Sequence, residues 1–261
     1  MNNIQQRINE IKINSFDLDF SDVFNQTIEN YKKIVIFAGM SFLIFSIIIG
    51  MIFGSGFLFF SSANSMAENL ANFNVQSFSV TGLIIYFVSL VFISSIVAPF
   101  YSGILKMAHL AEQNQEFNIG TAFEFYKSQY LKELIISGVI ISLFSVGITI
   151  LLEKSGIPLV GGFLTYAISF GTVFVNPLIV FGNLKAMEAI NASFIIVTKK
   201  MPLLLGLLIV ALIICCLGII GLCIGIFFTM PFIFSMIYII YKSIFDFKLT
   251  SEIDEIGAFQ E

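Results

Sequence analysis

Charge is what this chain has least of. Asp, Glu, Lys and Arg make up 11% of its 261 residues, against 57% hydrophobic side chains. A soluble chain carries about 25% charged residues, so a water-soluble globular domain is excluded and an integral membrane protein is implied. The charge that exists is not basic. Thirteen Lys and Arg against 17 Asp and Glu leave a net −4, without the positive footprint of a nucleic-acid binder. Histidine occurs once, so paired histidines for a metal centre or an acid–base couple are missing. His109 is expected at the surface, in a polar continuation of the second span. Tryptophan, a common anchor at the membrane interface, is absent. Tyr31, Tyr101, Tyr126, Tyr130, Tyr238 and Tyr241 are expected to anchor instead. The cysteines, Cys215, Cys216 and Cys223, sit in hydrophobic segments and read as packing residues, not as disulfides or metal ligands. No HExxH, P-loop or GxSxG occurs. The chain is therefore expected to have no catalytic, cofactor-binding or metal-binding residues, and not to be an enzyme.

What is present is a series of long uncharged runs. A hydrocarbon core about 30 Å thick needs about 20 helical residues. The runs predict an all-α polytopic bundle of six transmembrane helices at about 34–59, 78–101, 134–152, 159–181, 202–218 and 222–243. Residues 1–20 read as a flexible polar arm, 21–245 as one membrane domain and 246–261 as an acidic tail. The polar start lacks the basic, early-apolar pattern of a cleavable signal peptide, so the first span is expected to act as an uncleaved signal. Gly50, Gly54 and Gly56 give that span a small-residue edge, expected to pack within the molecule. Residues 61–77 are assigned to the far side. The run from 202 to 241 would be about 60 Å long as one helix, so it must fold back, with Gly218 and Gly221 as the turn.

An amphipathic stretch precedes each pair of spans. In the first, Ser21 is a candidate N-cap, and Phe24, Ile28 and Tyr31 share a helical face. In the second, Phe123, Tyr126 and Tyr130 recur beside Lys127 and Lys132. The third carries Met187, Ile190, Phe194 and Val197 on one face. All three are expected to lie in the membrane interface. Each unit then closes on a proline, Pro99, Pro177 or Pro231, where a lost backbone donor should kink the second span. The order of parts is that of an internal threefold repeat. Twelve of the 13 Lys and Arg fall on the side of the two termini, with only Lys154 opposite. The positive-inside rule then places both termini in the cytoplasm and the protein in the cell (inner) membrane.

The stretch VNPLIVFGNLKAMEAINASFIIVTKK and the hairpin GIIGLCIGIFFTMPFIFSMIYIIYKSIF carry a family pattern: a proline-ended span, a short EAxxxS helix ending in basic residues, and a glycine-turned hairpin with TxP. Here those positions are Pro177, Glu188, Ala189, Ser193, Lys199, Lys200, Gly218, Gly225, Thr229, Pro231 and Tyr241. The chain thus resembles a broad bacterial family of uncharacterised six-span membrane proteins, related to the membrane domain of glycerophosphodiester phosphodiesterases. Flavobacterial members are often labelled beta-carotene monooxygenase, but one histidine cannot supply the iron ligands of such an oxygenase. The resemblance covers residues 170–245 and implies a fold and a location, not a reaction.

Polar side chains within the spans remain as site candidates: Asn176, Thr229, Ser94, Ser95 and Ser235, all near the prolines. No intramembrane charge marks a proton or ion path. The leading expectation is a non-enzymatic protein in envelope homeostasis, with membrane lipids and a membrane-protein partner. The alternative is a transporter or channel for a neutral or lipid-like molecule. A tightly packed core favours the first, and a polar cavity reaching Asn176 and Thr229 the second. A catalytic reading requires Glu188, His109 and Glu124 to face one pocket.

Overall fold

The structure is a computed structural model that describes residues 3–60, 78–220 and 224–245. In chain order it contains α1 (Asn3–Asn14), α2 (Phe20–Phe60), α3 (Val80–Glu112), a 3-10 helix (Ile119–Lys127), α4 (Leu131–Lys154), α5 (Pro158–Gly171), α6 (Val175–Val180), α7 (Ala186–Lys199), α8 (Met201–Ile220), α9 (Gly225–Thr229) and α10 (Pro231–Phe245). No strand occurs among the described residues. Six helical stretches are long and apolar enough to cross a membrane, with α5–α6 and α9–α10 each forming one of them. The protein is a polytopic helical membrane bundle. Gly221, the stretch 61–77, Cys223 and the tail 246–261 lie outside the described residues.

The N-terminal arm is not free. Residues 3–14 form α1, which packs on α7 and buries Ile8 and Ile11. Ile4, Ile8 and Ile11 recur at spacings of four and three, an apolar stripe within a polar segment. Arg7 Nε donates to the Ile244 carbonyl at 3.2 Å and Lys199 Nζ to the Lys12 carbonyl at 2.5 Å, tying α1 to the bundle.

The first amphipathic stretch is not a separate interfacial helix. It is the start of α2, whose 41 residues extend about 60 Å. Neither proline nor glycine interrupts it before Gly39, and Val23, Thr27, Asn30, Ile34 and Ala38 form one continuous buried stripe. That stripe faces α3 and α10, so α2 and α3 both extend beyond a bilayer's thickness as an antiparallel stem. In the stem the fully buried Asn30 donates to the Ala108 carbonyl at 2.7 Å and accepts from Ser235 Oγ at 2.9 Å. Lys242 pairs with Glu112 beside it. These bonds satisfy polar groups that would be costly to bury alone.

The second amphipathic stretch is a 3-10 helix, capped where Gly120 N–H donates to Asn118 Oδ1 at 2.8 Å. It lies directly on α3 at Gly103, where an added Cβ would stand 2.1 Å from the Ala122 carbonyl oxygen. The third, α7, is a regular helix.

The prolines behave in three ways. α3 stays helical through Pro99, and the Tyr126 hydroxyl donates to the neighbouring Ile96 carbonyl at 2.6 Å. Pro177 stands in the first turn of α6, just after a true break over residues 172–174. Pro231 begins α10, where a missing donor costs nothing. The glycines also differ from expectation. Gly218 is not the turn but lies inside α8, facing Gly225 and Thr229 so closely that a Cβ would meet Thr229 Oγ1 at 2.2 Å. A Cβ added at Gly50 would meet nothing within 4 Å, so among the described residues the expected close packing at Gly50 is not made. The surroundings of Gly54 and Gly56 lie outside the described residues.

Most of the tyrosines turn inward. Tyr241 is fully buried, Tyr31 donates to the Phe228 carbonyl at 3.1 Å, Tyr130 bonds Asn183, and Tyr238 bonds His109 Nδ1 at 3.0 Å. A phenol that buries its ring still needs a partner for its hydroxyl, and for Tyr31, Tyr130 and Tyr238 the bundle supplies it, whereas the Tyr241 hydroxyl makes no hydrogen bond to a described residue. His109 is accordingly half-buried against Phe181 and Tyr238 rather than a free surface residue.

Candidate functional site

Helix α3 offers a stripe of Ser94, Val97, Ala98 and Tyr101, spaced by three and four and so on one face. Helix α4 opposes it with Ser137, Gly138, Ile141, Ser142 and Ser145. The two helices approach tightly at Gly138, where a Cβ would stand 3.2 Å from Ser95 Cα and 3.4 Å from the Ser94 carbonyl oxygen. Together with the α5–α6 break and α9–α10 they enclose a cavity of ≈ 610 Å³.

The break shapes one wall. Pro177 has no N–H for the Val173 carbonyl, and the helix gives way over the turn before it. Thr172, Val173 and Asn176 line the cavity from this irregular turn. Non-helical backbone at membrane depth is tolerated where protein covers it or it lines a cavity. Here α7 covers it: the fully buried Ser193 hydroxyl donates to the Gly171 carbonyl at 2.7 Å and accepts the Phe174 N–H at 3.1 Å. The Phe194 ring lies against Gly171, where a Cβ would meet it at 2.2 Å.

Ser169 at the exposed end apart, the hydroxyls in the cavity fall into two sets. Ser137, Ser142 and Thr172 donate to the Leu134, Gly138 and Ile168 carbonyls of their own helices at 2.9, 2.7 and 2.8 Å. Their protons are committed and their lone pairs remain. Asn176, Ser94 and the Tyr101 hydroxyl make no hydrogen bond to another described residue, so their donors remain. Contact between the Thr149 and Thr165 hydroxyls aligns α4 with α5 and places Asn176 near the level of Gly138, hence of Ser94. Among the described residues no charged side chain lines the cavity, and the apolar wall comes from Val97, Ile233, Phe234 and Ile237 among others.

The end nearer the stem is closed by the buried Leu105 and Ile237, while Ser169 at the other end is exposed. α5 packs on α4 and α7 and makes little contact with α10 among the described residues.

Two of the five polar residues singled out in the sequence, Ser94 and Asn176, meet in this cavity. The other three do not join them. Ser95 Oγ donates to the Val91 carbonyl at 2.7 Å and lines a separate apolar groove of ≈ 380 Å³ on the outer face of α3 and α4. Thr229 Oγ1 donates to the Cys215 carbonyl at 2.9 Å, linking α9 to α8. Ser235 is bound to Asn30 in the stem. Missed in the sequence were Tyr101, Ser137, Ser142, Ser145 and Thr172. The serines on α4 did carry a signal, since Ser137 and Ser142 flank one face of an otherwise apolar span.

Glu188, His109 and Glu124 do not converge. Glu188 lies in the polar groove between α1 and α7, Glu124 pairs with Lys106 at 2.5 Å, and His109 bonds Tyr238. Among the described residues, no group of three or more His, Cys, Asp or Glu side chains is placed to hold a metal ion. No family model, curated protein or solved structure matches the chain.

Proposed function

We propose that this chain is a non-enzymatic protein of the bacterial inner membrane, with both termini cytoplasmic, that transports a neutral, lipid-like molecule through its hydroxyl-lined cavity. The observation that carries this reading is the cavity itself: no charged lining among the described residues, and three polar side chains whose donors meet no described residue. Asn176, Ser94 and Tyr101 are half-buried, so their unspent donors are accessible to a ligand or water in the cavity. The weak contact between α5 and α10 suits entry of a lipid-like molecule from the bilayer between them. Membership of the six-span family, with its threefold hairpin plan, belongs to the same proposal. It is supported by the roles of its signature residues, because Pro177 and Ser193 build the break while Gly218, Gly225 and Thr229 build the last crossing.

A second reading, a scaffold in envelope homeostasis that contacts lipids and a membrane-protein partner, has one observation in its favour. Gln5, Asn9, Lys12, Glu188 and Asn191 line a polar groove of ≈ 310 Å³ between α1 and α7, on the side of the termini.

Native mass spectrometry of the protein purified in lipid separates the two. Transport predicts a retained neutral lipid that is lost in Val173→Trp, which fills the cavity. No retained lipid, or retention unaffected by Val173→Trp, counts against it.

A further inference from the structure

Ser169 at the exposed end apart, the donors and acceptors around the cavity are sorted by wall, and the sorting specifies a ligand more narrowly than neutrality does. On the α4 and α5 side, Ser137, Ser142 and Thr172 have given their protons to backbone carbonyls of the preceding turn. A helix carbonyl holds such a proton well, so these side chains meet a ligand as acceptors and read a hydroxyl donor. On the side of α6 and α3, Asn176 brings two N–H donors and Ser94 and Tyr101 one O–H each, none spent on another described residue. Ser94 is the informative member. A serine within a helix ordinarily bonds back to its own turn, as Ser95 does beside it, and Ser94 does not. These groups read an acceptor, a carbonyl or ether oxygen, at the level of Asn176.

We infer that the cavity selects a neutral amphiphile carrying both a free hydroxyl and a carbonyl near one end of an apolar chain, as a monoacylglycerol does. The hydroxyl donates to Ser142, and the ester carbonyl accepts from Asn176. The apolar chain lies along Val97, Ile233 and Phe234 and leaves between α5 and α10. Charged lipids are disfavoured because no cation or anion lines the space to pair with them. The inference rests on the cavity being a ligand site for a neutral molecule.

Three probes of one chain length test it, titrated separately into the detergent-solubilised protein and read by native mass spectrometry: a monoacylglycerol, the fatty alcohol and the fatty-acid methyl ester. The monoacylglycerol is expected to bind about five- to tenfold tighter than either of the others, the value of one further buried hydrogen bond. Asn176→Leu is expected to weaken the monoacylglycerol and the methyl ester while sparing the alcohol. Ser142→Ala is expected to weaken the monoacylglycerol and the alcohol while sparing the ester. If the wild-type protein binds all three alike, or if Asn176→Leu weakens all three equally, the sorting is overturned while the cavity remains a neutral-ligand site. If none of the three binds, or Val173→Trp leaves all three bound, the transport reading falls with it. The wild-type comparison needs no substitution and stands even where a variant fails to fold.

Discussion

The Ser193 hydroxyl of α7 donates to the Gly171 carbonyl of α5 at 2.7 Å, across the point where the regular helix of the fourth span gives way to a turn. The same oxygen accepts the Phe174 N–H from the far side of the break. A peripheral helix therefore holds open the turn that brings Thr172, Val173 and Asn176 to the cavity.

Removing that hydroxyl has a defined cost. Ser193→Ala leaves a buried carbonyl and a buried N–H to find new partners, and is expected to lower stability by about 1–3 kcal/mol. Thermal unfolding in a mild detergent measures it. An unchanged midpoint would mean that the break holds its shape without α7.

Two glycines of opposite surroundings make a matched pair. Gly103→Ala drives a methyl against the Ala122 backbone, which has no flexible end to move aside. A loss of about 1–3 kcal/mol is expected, with the 3-10 helix displaced. Gly50→Ala meets nothing within 4 Å and is expected to stay within about 0.5 kcal/mol of the parent protein. Equal effects in the two unfolding curves would contradict the packing at Gly103.

Burial pushes the Tyr126 phenol from its ordinary 10.0 up to about 12. The fold holds this proton more tightly than the unfolded chain does. Its contribution is therefore whole below pH 10.0 and is lost as pH rises toward about 12. Tyr126→Phe removes the bond to the Ile96 carbonyl and is expected to cost about 1 kcal/mol at neutral pH. Its stability should then fall less steeply than that of the parent protein across the same alkaline window. Parallel curves would show that Tyr126 is not the group involved.

Orientation is tested without touching the fold. A reporter fused after residue 261 is expected to read cytoplasmic, as twelve of the 13 Lys and Arg on the terminal side require. An extracytoplasmic signal would remove both the orientation and the six-span count.

Hydrophobic length alone located the six spans, because a bilayer admits only helices of about 20 apolar residues and demands that every backbone bond be made within them. The same logic found Asn176 and Ser94 as rare polar groups at depth. It did not find α1, whose Ile8 and Ile11 stripe is weak until α7 is there to cover it. Nor did it separate Gly218, which serves a helix crossing, from a glycine that serves a turn, since both roles ask only for a missing side chain. Tertiary structure decided which hydroxyls share a cavity. Ser94 and Ser95 are neighbours in sequence, but one turns toward Asn176 and the other toward its own helix and an outer groove. The rotation of a helix about its axis is set by its neighbours, through contacts such as Gly138 against Ser95 and Ser193 across the break. Composition fixes that a helix spans the membrane; packing fixes what it faces.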